Sequence, residues 1–368
     1  MCIRDSTSVG SIDGASDTHL KLILNLRNML VEIALAHQQA PKAVELGRSA
    51  TRDAEAWVRQ SQGSELAQRE LVRVLGNYVA ALIEVGEFDR ARAQLERAFE
   101  VHSTLPTTPA LQAIEALQWN NLGSIELGLE RYAEAEEAEE RALSLHRALL
   151  AADPTSVNLL YCRARSHLRL GQAQLRNAGP HAEEKTNTAI NHFAMALGGC
   201  RGLAKYPDVP WHHLNLQMRV ARAMGDYYFS VKKNAFSLAT FNEAIQSAHA
   251  ADTLSPERRT PEADLKNMWV KRTASALAGE QSDPLVVLDA YYVSFPEDAE
   301  VARYVASMAC VSAGMLEKKE AALTAEHQIT IERLEETALD KLEKAAELGG
   351  LPLTALRTSS AWKRLRQF

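Results

Sequence analysis

The side chains best suited to bind a metal ion are eleven histidines and four cysteines. His212 and His213 are adjacent, so on a helix their side chains point about 100° apart and are poorly placed to share one metal ion. His192 lies near Cys200, but no further ligand follows at a useful spacing. We therefore interpret the histidines as core or surface residues and predict no metal site and no cofactor.

Carboxylates are concentrated in one run, which contains Glu134, Glu136, Glu137, Glu139 and Glu140. Paired catalytic carboxylates need an enclosed pocket that separates their pKa values, whereas a charge run on a helix is typical of a solvated outer face. The sequence also lacks GxxxxGK[ST], GxSxG, HExxH and the motif set of a protein kinase. We predict that the chain is not an enzyme; a self-contained helical enzyme is the alternative.

The composition of the chain limits the classes of protein to which it can belong. The chain has 368 residues, of which 46% are hydrophobic and 24% charged, with a net charge of −6. This balance favours a soluble, well-cored protein and argues against nucleic acid or anionic lipid as an obligatory partner. The longest apolar stretch, residues 20–36, is interrupted by Lys21, Arg27 and Glu32, so we expect no membrane span. The four cysteines form no CxxC pair, and we predict reduced thiols in a cytoplasmic protein.

The elements that carry these side chains are predicted to be helices. Between the twelve prolines lie long stretches with apolar residues three and four positions apart. No proline falls inside such a stretch, where it would cost about 3 kcal/mol, and Thr108-Pro109 and Asp283-Pro284 pair a capping side chain with a proline suited to the first helical turn. We predict an all-α fold with helices near 18–37, 42–60, 64–84, 88–104, 110–128, 131–151, 155–176, 182–204, 211–230, 235–251, 262–278, 284–294, 298–313, 328–347 and 353–365.

The predicted helix pairs repeat. A small residue recurs in the second helix of each pair at intervals of 44 to 54 residues. Small or compact residues also recur in the preceding first helices, as expected where two helix backbones approach closely. The second-helix positions are Ala43, Ala91, Ala135, Ala189 and Ser237, and the first-helix positions are Val79, Gly123, Gly171 and Gly225.

One unit resembles the tetratricopeptide repeat (TPR) family, through Trp119, Leu122, Gly123, Tyr132, Ala135 and Ala142. Weaker copies lie at residues 77–98, 189–196 and 225–244. The repeat spacing exceeds the usual value of about 34 residues and is similar to that of kinesin-light-chain-type arrays. The resemblance implies a right-handed superhelical solenoid of antiparallel helix pairs, with about seven pairs and a C-terminal capping helix. Residues 18–258 would form the TPR-like repeats, and 259–368 degenerate repeats and the cap.

The two ends of the chain suggest a second hypothesis. Residues 1–6 resemble translated sequencing-adapter read-through, so we predict that 1–17 are disordered or non-native. Residues 338–350 and 356–368 resemble the closing segment of TPR arrays attached to bacterial serine/threonine protein kinases, although Ser359-Ser360 departs from the usual Asp-Pro. This resemblance implies the regulatory or sensing region of such a kinase, whose catalytic domain would be missing from this chain.

The TPR resemblance also implies a binding surface, because first helices in such arrays line a concave groove that holds partner peptides. The leading hypothesis is a non-catalytic signalling scaffold that binds a peptide or helix of a protein partner there, with no nucleic acid, membrane or small-molecule ligand expected. An acidic segment or a free C-terminus would suit the arginines. Asn121, Arg165 and Arg169 fit the family's carboxylate clamp, but Gly76 and Ala80 do not. The alternative is that the arginines are solvated or pair with glutamates. The predicted groove residues are Asn120, Asn121, Ser124, Arg165, Arg169, Gln172, Arg219 and Arg222.

Overall fold

The computed structural model describes residues 16–36, 39–178, 182–206, 210–279, 283–319 and 325–348. These residues form fourteen α-helices and one short 3₁₀ turn, with no strand among them, so the all-α prediction is confirmed. Residues 1–15 and the predicted helix 353–365 lie outside the described ranges. The helices are α1 Asp17–Ala36, α2 Ala40–Gln60, α3 Glu65–Glu84, α4 Phe88–Ser103, α5 Pro109–Gly128, α6 Tyr132–Ala152, α7 Val157–Arg176, α8 Ala182–Leu203, α9 Trp211–Ser230, α10 Asn234–Leu254, α11 Glu262–Ala278, α12 Pro284–Ser294, α13 Ala299–Lys319 and α14 Ala325–Glu347.

The helices divide into two compact units within α9. The first unit runs to Val220 and includes Ala251–Arg259; the second comprises Ala221–Ala250 and the described residues from Thr260 onward. In the first unit, α1 to α8 form four helical hairpins, and each hairpin packs on the next. The helices α1, α3, α5 and α7 also contact one another in that order, and we call them the first-helix layer. The predicted helical-repeat solenoid is therefore confirmed as a fold class.

Three of the hairpins share one turn geometry. Gly86, Glu130 and Lys232 follow the first helices of three hairpins, and all have a positive φ, of 76°, 60° and 57°. After α3 the next amide, that of Glu87, donates to the Leu82 carbonyl at 2.9 Å, which satisfies an orphan acceptor of the helix end. The left-handed residue reverses the chain so that the second helix can pack back on the first.

Two hairpins are closed by an aromatic ring that fits against a glycine of the partner helix. Phe193 on α8 and Phe241 on α10 are both fully buried, four residues after the small positions predicted from the sequence. Phe193 Cε1 lies only 2.7 Å from where a Cβ on Gly171 would stand, and Phe241 Cε1 lies 2.9 Å from the equivalent point on Gly225. The two glycines therefore make room for the rings, and Leu95 is buried at the same position of α4.

The second unit is centred on an aromatic cluster. Tyr291 packs against Trp269, Phe295 and Tyr304, with ring centroids 5.7 to 6.0 Å apart. These rings come from α11, from α12 and its C-terminal end, and from α13, so the cluster joins three helices. Across the described ranges, no helix is long and apolar enough to cross a membrane.

The glycine at the α7–α8 crossing is expected to be essential for packing. Gly171→Ala should lower the free energy of unfolding by about 1–3 kcal/mol, because the new methyl group collides with the Phe193 ring and the Ala189 carbonyl. Gly198→Ala on α8 is the matched control, since nothing lies within 4 Å of its Cβ position. This control should raise stability by about 0.5–1 kcal/mol. Urea unfolding of the three proteins measures both effects, and equal stabilities would contradict the packing argument.

Candidate functional site

One hairpin carries a carboxylate where three others carry the hydrophobic side chains Leu95, Phe193 and Phe241. Glu139 on α6 lies four residues after Ala135, the position that Phe193 and Phe241 occupy in α8 and α10. Its side chain is fully buried. A Cβ on Gly123 of α5 would stand 2.7 Å from Glu139 Cδ, so this glycine accommodates a carboxylate as Gly171 and Gly225 accommodate rings.

Polar groups from three helices surround this carboxylate. Asn120 Nδ2 on α5 donates to Glu139 Oε2 at 3.1 Å and to Ser166 Oγ of α7 at 2.7 Å. Arg165 Nη2 donates to Asn120 Oδ1 at 3.1 Å, and Arg169 Nη1 donates to the Asn120 carbonyl at 2.9 Å. The same Nη1 lies 3.6 Å from Glu139 Oε1. We call Asn120, Glu139, Arg165, Ser166 and Arg169 the buried network.

Burial dominates the electrostatics of this network. Loss of solvation raises the pKa of Glu139 to about 7, although Arg169 and Arg165 favour its charged form. Loss of solvation, with the positive charge of Arg165, lowers the pKa of Arg169 to about 10. Glu139 Oε1 has no hydrogen-bond partner. Desolvation therefore outweighs the hydrogen bond from Asn120 and the attraction of the two arginines, so this network adds little to stability.

His146 lies on the same helix and is also buried. Its ring is 1% exposed, and neither ring nitrogen has a hydrogen-bond partner. Burial and the charges of Arg165 and Arg163 lower its pKa to about 4, so the ring is neutral near pH 7. In the part of the chain that the structure describes, no three His, Cys, Asp or Glu side chains are placed to hold a metal ion.

The predicted groove residues of α5 and α7 have different environments. Asn120 is fully buried, so the prediction that it faces the groove is wrong; its amide instead joins Glu139 to α7. Asn121 Nδ2 donates to the Gly76 carbonyl of α3 at 3.5 Å, and the Ser124 hydroxyl donates to the Asn120 carbonyl at 3.0 Å. Gln172 is half-buried, with no hydrogen-bond partner among the described residues.

The four arginines predicted to line the groove lie in different environments. Arg165 and Arg169 belong to the buried network, and the Arg169 side chain is only 15% exposed. Arg219 is exposed in the first unit and contributes to the lowered pKa of Arg169. Arg222 belongs to the second unit, where its guanidinium lies 2.7 Å from Asp264. Arg222 therefore pairs with an aspartate and not with a glutamate as the alternative expected, whereas Arg169 lies 3.6 Å from Glu139.

The acidic run is only partly the solvated face that the sequence suggested. Glu134, Glu137 and Glu140 are exposed as predicted. For Glu136 and Glu139 the prediction is wrong. Glu136 is partly buried and its Oε1 accepts from Asn177 at 2.6 Å and Lys185 at 3.1 Å. Glu139 could have been found by aligning the repeats, because its register coincides with that of Phe193 and Phe241.

Comparison with known protein families finds a match over the α5–α6 hairpin. Residues 120–155 match the family model described as Tetratricopeptide repeat. The predicted TPR resemblance is confirmed for this segment. The matched repeat contains Asn120, Gly123 and Glu139, and therefore the α5 and α6 parts of the buried network. A search of curated protein sequences finds no match.

Several solved structures are similar in fold. BtubC (BKLC) from P. vanneervenii is 16% identical with a TM-score of 0.48, and the match covers 68% of this chain and 88% of BtubC. The apo form of the quorum sensor NprR from B. thuringiensis is 11% identical with a TM-score of 0.31, covering 89% and 97%. Yeast Tom70 is 13% identical with a TM-score of 0.21, covering 89% and 84%. The residues behind the kinase-array resemblance lie largely outside the described ranges, and that hypothesis stays a prediction.

The buried carboxylate predicts a specific pH dependence of stability. The folded-state pKa of Glu139, about 7, lies above the unfolded value of about 4.3. Between these pH values the folded chain holds a proton that the unfolded chain has released, so its contribution to stability falls as pH rises. Glutamine does not titrate, so Glu139→Gln removes this pH-dependent loss of stability. Its free energy of unfolding relative to wild type should therefore increase from pH 4 to pH 8, by at most about 3–4 kcal/mol.

Urea unfolding of both proteins at several pH values measures this difference. Other titrating groups, such as His146, contribute equally in the two proteins, so their contributions cancel. Glu137→Gln, an exposed position on the same helix, is the control. It should change stability by less than about 0.5 kcal/mol throughout. A pH-independent difference for Glu139→Gln would contradict the raised pKa.

Proposed function

We propose that this chain is a non-catalytic protein–protein interaction scaffold that binds an extended, acidic segment of a partner along the first-helix layer of its first unit. The observation that carries the proposal is that the first helices contact one another in sequence, so that their side chains form one extended surface. The match of residues 120–155 to the TPR family supports the same function. Fold alone does not name a partner, so the proposal rests on the chemistry of this surface.

The cationic groups offered to the partner are Arg165 and Arg169 on α7 of this layer and Arg219 on α9, whose positive charge helps to lower the pKa of Arg169. Arg219 is exposed and has no ion-pair partner among the described residues. Arg165 is half-buried, with its guanidinium carbon 5.9 Å from the centre of the Tyr161 ring. Guanidinium groups bind carboxylates through paired hydrogen bonds, which suits the side chains or free C-terminus of an acidic segment.

The buried network would prepare this surface for binding. The amide oxygen of Asn120 holds Arg165, and its main-chain carbonyl holds Arg169. Each arginine therefore loses less side-chain freedom when it meets a carboxylate, which lowers the entropic cost of association. In this proposal Glu139 is a positioning residue that acts through Asn120 and Arg169 and does not touch the partner.

The structure determines which substitutions can test the proposal. Replacing Arg169 by Glu would place a second carboxylate beside buried Glu139, so loss of binding would not be distinguishable from loss of folding. Arg219→Glu changes an exposed side chain of α9 whose charge acts on Arg169. Arg176→Glu, at the exposed end of α7, makes the same charge change away from the network and serves as the control.

The test is selection of a random peptide library on the folded chain, followed by fluorescence anisotropy with the selected peptides. We expect selection of peptides rich in Asp and Glu. Arg219→Glu should weaken their binding by tenfold or more, corresponding to loss of about 1.5 kcal/mol or more of charged hydrogen bonding, and Arg176→Glu should leave it within about twofold. Selection of uncharged peptides, or equal binding by both variants, would overturn the proposal.

A further inference from the structure

A second cluster of basic side chains lies on the opposite side of α7. Arg163 and His167 are four residues apart, and helical geometry places them about half a turn from Arg165 and Arg169. Together with side chains of α6 and α8 they line a crevice of about 320 Å³. The lining residues are Leu143, Arg147, Arg163, His167 and Met195, and we call this cavity the basic crevice.

The positive charge of the basic crevice is not neutralised by the protein. Arg147 and Arg163 have neither an ion pair nor a hydrogen bond to any described residue, and none of the five lining residues is acidic. The chain has 47 acidic residues against 41 lysines and arginines, so acidic partners are not scarce. Arg147 is exposed and Arg163 is half-buried, whereas an arginine such as Arg27 is paired within the fold, with Asp53 at 2.9 Å. Two unpaired guanidinium groups lining one cavity are poised for an anion from outside the chain.

His167 adds a fixed polar wall to the basic crevice. Its Nδ1 lies 2.9 Å from Nδ1 of His192 on α8, and the two rings are stacked with centroids 5.1 Å apart. One imidazole donates this hydrogen bond and the other accepts it, which fixes the orientation of both rings. Burial, His192 and the charges of Arg163 and Arg147 lower the pKa of His167 to about 4, so the ring is neutral near pH 7. The two arginines therefore supply the charge.

We propose that the basic crevice binds a small organic anion, with a phosphate or carboxylate group held by Arg147 and Arg163 and an apolar body lying against Leu143 and Met195. Guanidinium forks match the oxygen geometry of both anionic groups. The volume lies near the lower end of the range of about 300–1,000 Å³ found for ligand pockets, which suits a small molecule. The site is separate from the surface proposed for the partner segment.

Isothermal titration calorimetry of the full chain with phenyl phosphate, benzoate, inorganic phosphate and neutral benzyl alcohol tests this proposal. We expect at least one of the two aromatic anions to bind, about tenfold more tightly than inorganic phosphate, and benzyl alcohol not to bind. The stronger of phenyl phosphate and benzoate identifies the anionic group. Equal affinity for inorganic phosphate and the aromatic anions would overturn the assignment of an apolar body, and no binding of any anion up to about 10 mM would overturn the site.

Variants locate the binding in the crevice. Arg147→Gln with Arg163→Gln should weaken binding of the anion by tenfold or more, while Arg59→Gln with Arg176→Gln, which removes two exposed charges elsewhere, should leave it within about twofold. Met195→Asp is an independent test, because this side chain is 48% exposed and its substitution leaves the core intact. It should abolish binding by placing a carboxylate at the wall. Unchanged binding in Met195→Asp, or in the folded double variant, would overturn the proposal.

Discussion

The close approach of the two helices in each hairpin is the constraint on which the rest of the structure depends. In the α5–α6, α7–α8 and α9–α10 hairpins, one helix contributes a glycine where the helices cross and the other a side chain that fills the space. In the α7–α8 hairpin Gly171 faces the Phe193 ring, and in the α9–α10 hairpin Gly225 faces Phe241. Because protein interiors are packed to the density of organic crystals, the identity of this one side chain determines what each hairpin encloses.

In the α5–α6 hairpin the enclosed group is a carboxylate, and its burial explains the arrangement of its neighbours. Glu139 requires donors, so Asn120 is drawn into the core and Arg169 is held at only 15% exposure. A network of this kind contributes less stability than a phenyl ring would, since desolvation offsets much of the Coulomb attraction. What it provides is a defined position for Arg165 and Arg169 beside the first-helix layer.

Basic side chains lie on two opposite sides of α7, because the helical periodicity places residues two positions apart on opposite sides. Arg165 and Arg169 lie on the side that meets α5, where the protein supplies acceptors. Arg163 and His167 lie on the side that meets α6 and α8, where the lining of the basic crevice offers no carboxylate. The arginines of the first side are held in place by acceptors of the fold, whereas Arg163 on the second side faces a cavity without a carboxylate in its lining.

The sequence by itself determined the helices, their pairing and the repeat. Thirteen of the predicted helices begin and end within three residues of the observed ones, and only α13 extends further, to Lys319, because proline placement and apolar periodicity are local properties of the chain. Tertiary structure decided the burial of Asn120 and Glu139 and the different environments of Arg163 and Arg165. Burial depends on which neighbouring helix covers a given face, and this is set by contacts between residues about 45 positions apart.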